Sequence, residues 1–257
     1  MPFTASHVAA AIPLARGPLV PAALVAGTMA PDLPYFVLLN AGGGGEYTHT
    51  WWGIALVDVP IALVALLVYR VLLLEPALAL LPDAVRSRVA WLPAPRLGLA
   101  MVVSALIGSA THVGWDGFTH RNGWAVDLLP ELAAEVLGLP LYAWGQWSST
   151  VLGGLFVAVW SVRRLSRTPR RPVPARFAPP ARPAPVLALV AVFTAVFAAV
   201  TTTGRVPDAV LVSASMTVPA GAAVAVALYG LWRRVLRRGG GHADQVTPPA
   251  RSPGRSS

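Results

Sequence analysis

Cysteine is absent and so is lysine, so that all 20 basic residues are arginine. The first absence excludes disulfides, thiolate metal sites and a cysteine nucleophile, and leaves any metal to His, Asp and Glu. The second excludes a Walker lysine and a Schiff-base lysine. Charge of either sign is scarce: 12% of the 257 residues are charged and 55% are hydrophobic, where a soluble domain carries roughly a quarter charged residues. Too few polar side chains remain to cover a water-facing surface, so the apolar runs are expected in lipid.

What is present is a set of long apolar segments. Those at 53–74, 98–117, 149–165, 185–203 and 209–232 are each expected to cross the roughly 30 Å hydrocarbon layer as helices. Arginine placement orients them. Arg70, Arg86, Arg88 and Arg96 flank one connection, seven from Arg163 to Arg182 lie in another, and six follow the last segment, so 17 of 20 fall on one side. By the positive-inside rule that side, with the C-terminus, is cytoplasmic. Insertion and lipid headgroups then account for the formal charge of +9, which makes membrane lipids the expected partners and excludes nucleic acid. No cleavable signal is expected, because the first arginine follows the apolar stretch that begins near Val8.

Composition divides the chain. Residues 1–165 hold four of the five histidines and are read as a membrane-embedded metal-site domain. Residues 166–184 form a Pro/Arg cytoplasmic linker that cannot sustain a helix. Residues 185–235 read as an accessory transmembrane hairpin, and 236–257 as a disordered cytoplasmic tail. The Gly42–Gly45 run lacks the strand, helix and lysine of a phosphate loop and reads as a flexible connection.

Against this apolar background six ionisable residues stand out: His7, Asp32, His49, His112, Asp116 and His120. An ionisable group in or beside a span is costly, which makes function its default reading. His112 and Asp116 are four apart, so a helix puts imidazole and carboxylate on one face, where both can grip one metal. His120 repeats the step. The span 98–117 runs outward from the arginine-rich side, and His49 precedes the next outward end beside Trp51 and Trp52, which suit the water–lipid interface. Trp124, Tyr142, Trp144 and Trp147 are read as further interface anchors, and Glu131 and Glu135, four apart, as a solvated acidic face before a weak pair of candidate ligands.

His7 joins this surface only if residues 1–39 do not cross. Arg16, Gly17 and Pro18 break the run midway between His7 and Asp32. Two antiparallel helices of about a dozen residues, about 18 Å long, bring both residues to one level. A re-entrant hairpin is therefore favoured over a sixth span. Asp58, inside the span after His49, is expected to orient a metal-bound histidine from outside the ligand set or to pair with an arginine.

The motifs MPFTASHVAA, GTMAPDLPYF, HTWWG, ALVDVP, SALIGSATHVGWDGFTH and LPLYAW, in this order over residues 1–165, resemble the bacterial membrane-protein family named domain of unknown function 4184, which implies the bacterial inner membrane. More distantly, the order His, Asp, His, His-x-x-x-Asp, His is similar to the membrane-bound metal-dependent hydrolases and the zinc-dependent phospholipase C and P1 nuclease superfamily. That similarity implies zinc as the divalent metal, with Asp32, His49 and His112 on one ion and His7 and Asp116 on another. It also implies Asp32 as the catalytic carboxylate that orients or deprotonates water. The His-x-x-x-Glu that completes the superfamily's third metal is missing here.

The expected fold is an all-α polytopic membrane bundle of five transmembrane helices plus an N-terminal hairpin, or six full spans. The expected function is hydrolysis of a phosphoester or lipid-linked substrate. A proton or divalent-cation transporter, and an assembly partner whose polar groups fix helix packing, are the alternatives.

Overall fold

The computed structural model describes residues 4–39, 45–92, 98–203 and 207–243, with side chains for all but 207–212 and 237–243. Gly42–Gly44, the connection holding Arg205, and the tail beyond 243 lie outside the described residues.

Among them, helix dominates. A 3-10 turn at Thr4–His7 leads into α1 (Val8–Leu14), and α2 (Pro21–Met29) runs out through a 3-10 turn at Ala30–Asp32. The chain reverses between them at Gly17, whose φ of +60° is a left-handed conformation that glycine adopts without a Cβ clash. Pro21 then starts α2, where its missing N–H costs nothing. Each arm is about a dozen residues, too short to cross a bilayer core. His7 and Asp32 end on the same side of the turn.

Next come α3 (Leu33–Leu38), α4 (Gly45–Thr48) and a 30-residue helix, Trp51–Leu80. The long helix consists of α5 (Trp51–Gly53), α6 (Val59–Val68) and α7 (Leu74–Leu80), joined by π-helical turns at Ile54–Asp58 and Tyr69–Leu73. Each π turn stands just before a proline, Pro60 or Pro76, where the ring would otherwise strike the preceding turn. This is why the helix passes the expected end at 74.

The remaining elements are α8 (Asp83–Val89), α9 (Leu99–Thr119), α10 (Trp124–Leu128), an antiparallel pair β1 (Glu135–Val136) and β2 (Leu139–Pro140), α11 (Leu141–Arg167), α12 (Pro183–Thr202) and α13 (Pro207–Ala243). Among the described residues three helices are long and apolar enough to cross a membrane: Trp51–Leu80, Pro183–Thr202 and Ser213–Leu236. The expected spans at 98–117 and 149–165 fall in α9 and α11, which have the length but carry Ser104, Ser109, Thr111, His112 and Asp116, or Gln146, Ser148, Ser149 and Thr150. Apolar length therefore supports three crossings, not five or six.

The core is a close pairing of α2 with α9. Val20 N–H donates to Ser104 Oγ at 2.8 Å, and His112 Nδ1–H donates to the Thr28 carbonyl at 2.7 Å, both across a separation of 84 residues. Residue numbers rise together along both helices, so the helices run parallel. Between those rungs a Cβ on Gly108 would collide with the Leu24 carbonyl, and one on Gly27 with the Ala105 carbonyl. Small residues thus allow backbone contact, the usual basis of helix association in lipid. Ala30, Val59, Ala62 and Ala105 extend the packing to α6. Where sequence shows only a Pro/Arg linker, Arg88 Nε donates to Thr168 O at 3.0 Å, and the backbone N–H of Arg171 to Ser87 O at 2.9 Å, while Phe177 packs on Leu78 and Ala90.

Candidate metal centre

The parallel register of α2 and α9 decides what lies at its last rung. Thr28 faces His112, and one turn further Asp32 meets Asp116. The turn after α4 adds His49, and the start of α1 adds His7. Asp32, His49, His112 and Asp116 each offer one ligand atom, and the four atoms lie within 4.8 Å of one another.

The four His–Asp separations within this group are alike. His49 Nε2 lies 3.4 Å from Asp32 Oδ1 and 3.5 Å from Asp116 Oδ2, and His112 Nε2 lies 3.4 Å and 3.3 Å from the same two oxygens. A charge-assisted hydrogen bond is about 2.7–2.9 Å, whereas ligand atoms about 2.05 Å from a tetrahedral zinc are about 3.3 Å apart. The contacts match the second figure. Asp32 Oδ1, Asp116 Oδ1 and His112 Nε2 are buried without a hydrogen-bond partner, an arrangement that is costly unless something bonds to them. The donor set and its unsatisfied atoms fit a cation.

The other carboxylate oxygen faces a second group. Asp116 Oδ1 lies 3.4 Å from His7 Nε2 and 3.5 Å from His120 Nδ1, and the His7 ring stacks on His112 at 3.8 Å. Asp116 thus stands between two sets of imidazoles. Although α9 stops at Thr119, the extended backbone of His120 still returns its ring to Asp116.

Neighbours set the tautomers. A carbonyl only accepts, so His112 carries its proton on Nδ1 and turns the Nε2 lone pair inward. Thr48 Oγ1 donates to Pro31 O at 2.8 Å and so accepts from His49 Nδ1–H at 3.0 Å, which frees His49 Nε2 in the same way. Thr4 Oγ1 donates to Asp32 Oδ2 at 2.7 Å, leaving Oδ1 for the centre. Gln146 reaches His120 Nε2 at 2.7 Å. Thr4, Thr28, Thr48 and Gln146 escaped the reading of sequence. The signal for Thr28 was present: Ser104, Gly108, His112 and Asp116 recur every four residues opposite Val20, Leu24, Thr28 and Asp32.

Asp32 and His112 are fully buried, whereas the side chains of His49 and His120 are 23% and 29% exposed, so the centre opens on their side. Burial lowers the His49 imidazole, but the Asp116 and Asp32 carboxylates outweigh it and raise its pKa to about 9. Burial and the adjacent His112 take His7 down to about 4 against the pull of those carboxylates. Burial also lowers His120.

Asp58 is fully buried in the π turn, and neither carboxylate oxygen has a hydrogen-bond partner. The contacts that orient His112 and His49 come from Thr28 and Thr48 instead. Glu131 lies in a 3-10 turn and Glu135 in β1, so no helix aligns them. Trp51, Trp52, Trp124, Trp144 and Trp147 are all exposed.

These features define a helical protein with membrane-length apolar helices and a buried His/Asp cluster. The chain belongs to the family described as domain of unknown function (DUF4184), which matches residues 1–231. The match runs through α12 into α13, beyond the motifs at 1–165. No curated protein and no solved structure matches the chain.

Proposed function

We propose that this chain is a membrane-embedded, metal-dependent hydrolase of a phosphoester or lipid-linked substrate. The observation that carries the reading is the quartet of inward-facing ligand atoms of Asp32, His49, His112 and Asp116, all within 4.8 Å of one another and with His–Asp separations of 3.3–3.5 Å. These residues would hold one divalent cation, and His7 and His120 with Asp116 Oδ1 a second. Imidazoles mixed with carboxylates favour zinc over magnesium or calcium. A bound cation supplies Lewis acidity, drawing protons from water near neutral pH and stabilising developing negative charge. Thr4 holds Asp32 so that Oδ1 alone faces the centre and orients water there. Thr28 and Thr48 keep both imidazoles in the ligating tautomer.

Access supports an amphiphilic substrate. A groove of about 460 Å³ reaches His7 between α1, α9 and α11, lined with Ser6, Thr111, Ser148 and Ser149 as well as Ala9 and Leu152. The exposed tryptophans suit headgroup depth. In this reading α9 and α11 also cross the bilayer, Ser104, Ser109, His112 and Asp116 of α9 turned inward, and the N-terminal hairpin re-enters. The arginine-rich end and the C-terminus face the cytoplasm of a bacterial inner membrane. The order of ligands, similar to that of the zinc-dependent phospholipase C and P1 nuclease superfamily, supports the chemistry.

Elemental analysis of detergent-purified protein, paired with turnover of a phosphodiester and a short-chain phospholipid, tests the reading. Stoichiometric metal and turnover, both lost in His112→Ala and Asp116→Ala, are expected; protein without stoichiometric metal ends the proposal. A second reading, transport of protons or divalent cations, is favoured by the unpartnered Asp58 carboxyl inside the Trp51–Leu80 helix. Its outcome is flux into proteoliposomes that depends on Asp58, without phosphoester turnover.

A further inference from the structure

The pair α12 and α13 contributes nothing to the metal cluster, yet it encloses a groove of about 570 Å³. Its walls include Val186, Phe193 and Val196 of α12 and Ala225, Tyr229 and Trp232 of α13, and the lining is almost wholly apolar. From Val186 to Val196 the groove follows ten residues of helix, about 15 Å, or about half of a 30 Å hydrocarbon core. That is the depth of one leaflet.

One end of the groove is strongly basic. Arg182 immediately precedes α12, one turn before Val186, and Arg233 follows Trp232. Arg233 Nη2 donates to the Ala178 carbonyl at 3.0 Å, and its guanidinium stands over the Tyr229 ring at 5.7 Å. Its Nη1 is buried without a hydrogen-bond partner. Arg182 and Arg233 thus flank the same end of the groove, and two guanidinium groups beside an apolar slot suit a phosphate. Phosphocholine, whose own cation offsets its phosphate, gains less there.

We propose that this groove binds one anionic phospholipid of the leaflet at the arginine-rich end, with an acyl chain between α12 and α13 and the headgroup on Arg182 and Arg233. The site is independent of the metal reading. Delipidated full-length protein is titrated with phosphatidylglycerol and with phosphatidylcholine of identical chains, followed by native mass spectrometry and thermal unfolding. Expected are one saturable phosphatidylglycerol per chain, an upward shift in Tm, and about fivefold weaker binding for each of Arg182→Gln and Arg233→Gln. Ala225→Phe, which fills the groove, should release the lipid and leave the metal content unchanged. Equal binding of the two lipids by the native protein overturns the proposal without any variant. So does full retention in Ala225→Phe, or a dimer that covers the groove and excludes lipid.

Discussion

α2 and α9 meet backbone to backbone at Gly27 and Gly108, with Ser104, Ser109 and His112 fully buried along the contact. By contrast α12 and α13 pack through Val, Phe and Tyr side chains, α12 buries none of its residues, and a groove remains between them. Apolar side chains facing lipid tolerate small shifts, because hydrocarbon surrounds them whichever way they move. Hydrogen bonds from His112 to Thr28 and from Ser109 to Gly27, at 2.7 and 3.0 Å, do not. A site that needs several atoms placed to within about half an ångström is built on the rigid pair, and the compliant pair is left to the membrane.

The comparison breaks most completely at Asp116. Asp116→Ala removes both oxygens that link the two imidazole groups, so bound metal should fall to background in elemental analysis, whereas Val190→Ala in α12 should leave it unchanged. Gly108→Leu comes next. It drives a side chain into the Leu24 carbonyl and should destabilise the protein by about 1–3 kcal/mol, as overpacking does, lowering both Tm and metal content. Thr4→Val, which cuts the hydrogen bond to Asp32 Oδ2, should weaken metal affinity by about 10–100-fold in chelator competition, with the far-UV spectrum unchanged.

pH sharpens the contrast within the site. In metal-free protein His49, raised to about 9, binds more protons folded than unfolded, so its contribution is complete below about pH 6.5 and disappears as pH rises through 9. In metal-loaded protein the proton competes with the cation at His49 Nε2, so stability should increase with pH over the same window. Thermal melts from pH 6.5 to 9 with and without chelator should therefore slope in opposite directions; parallel slopes would count against a cation at His49. The smallest effect belongs to Ala195→Leu on exposed α12, expected within about 0.5 kcal/mol of the parent.

The ionisable residues were legible because each is costly in an apolar chain, and His112 and Asp116 because four residues make one helical turn. The reversal at Gly17 was legible from its breaker. The number of crossings was not, since buried polar residues in α9 and half-buried or exposed ones in α11 lower their apolar character for reasons that only their neighbours reveal. Asp58, expected either to orient a metal-bound histidine or to pair with an arginine, sits in a π turn beside Pro60 that packs on α9, a shape that local pattern does not encode.

Composition and spacing by themselves determined a helical chain with membrane-length apolar segments and with His and Asp in chosen places, because solvation cost and helical period are properties of single segments. Tertiary structure alone decided that α2 and α9 run parallel with a constant offset of 84 residues, that Thr28 rather than Asp58 sets the His112 tautomer, and that Asp116 faces two groups at once. Those are relations between distant segments. Glycine-permitted backbone contact fixes them, and no single segment holds that information.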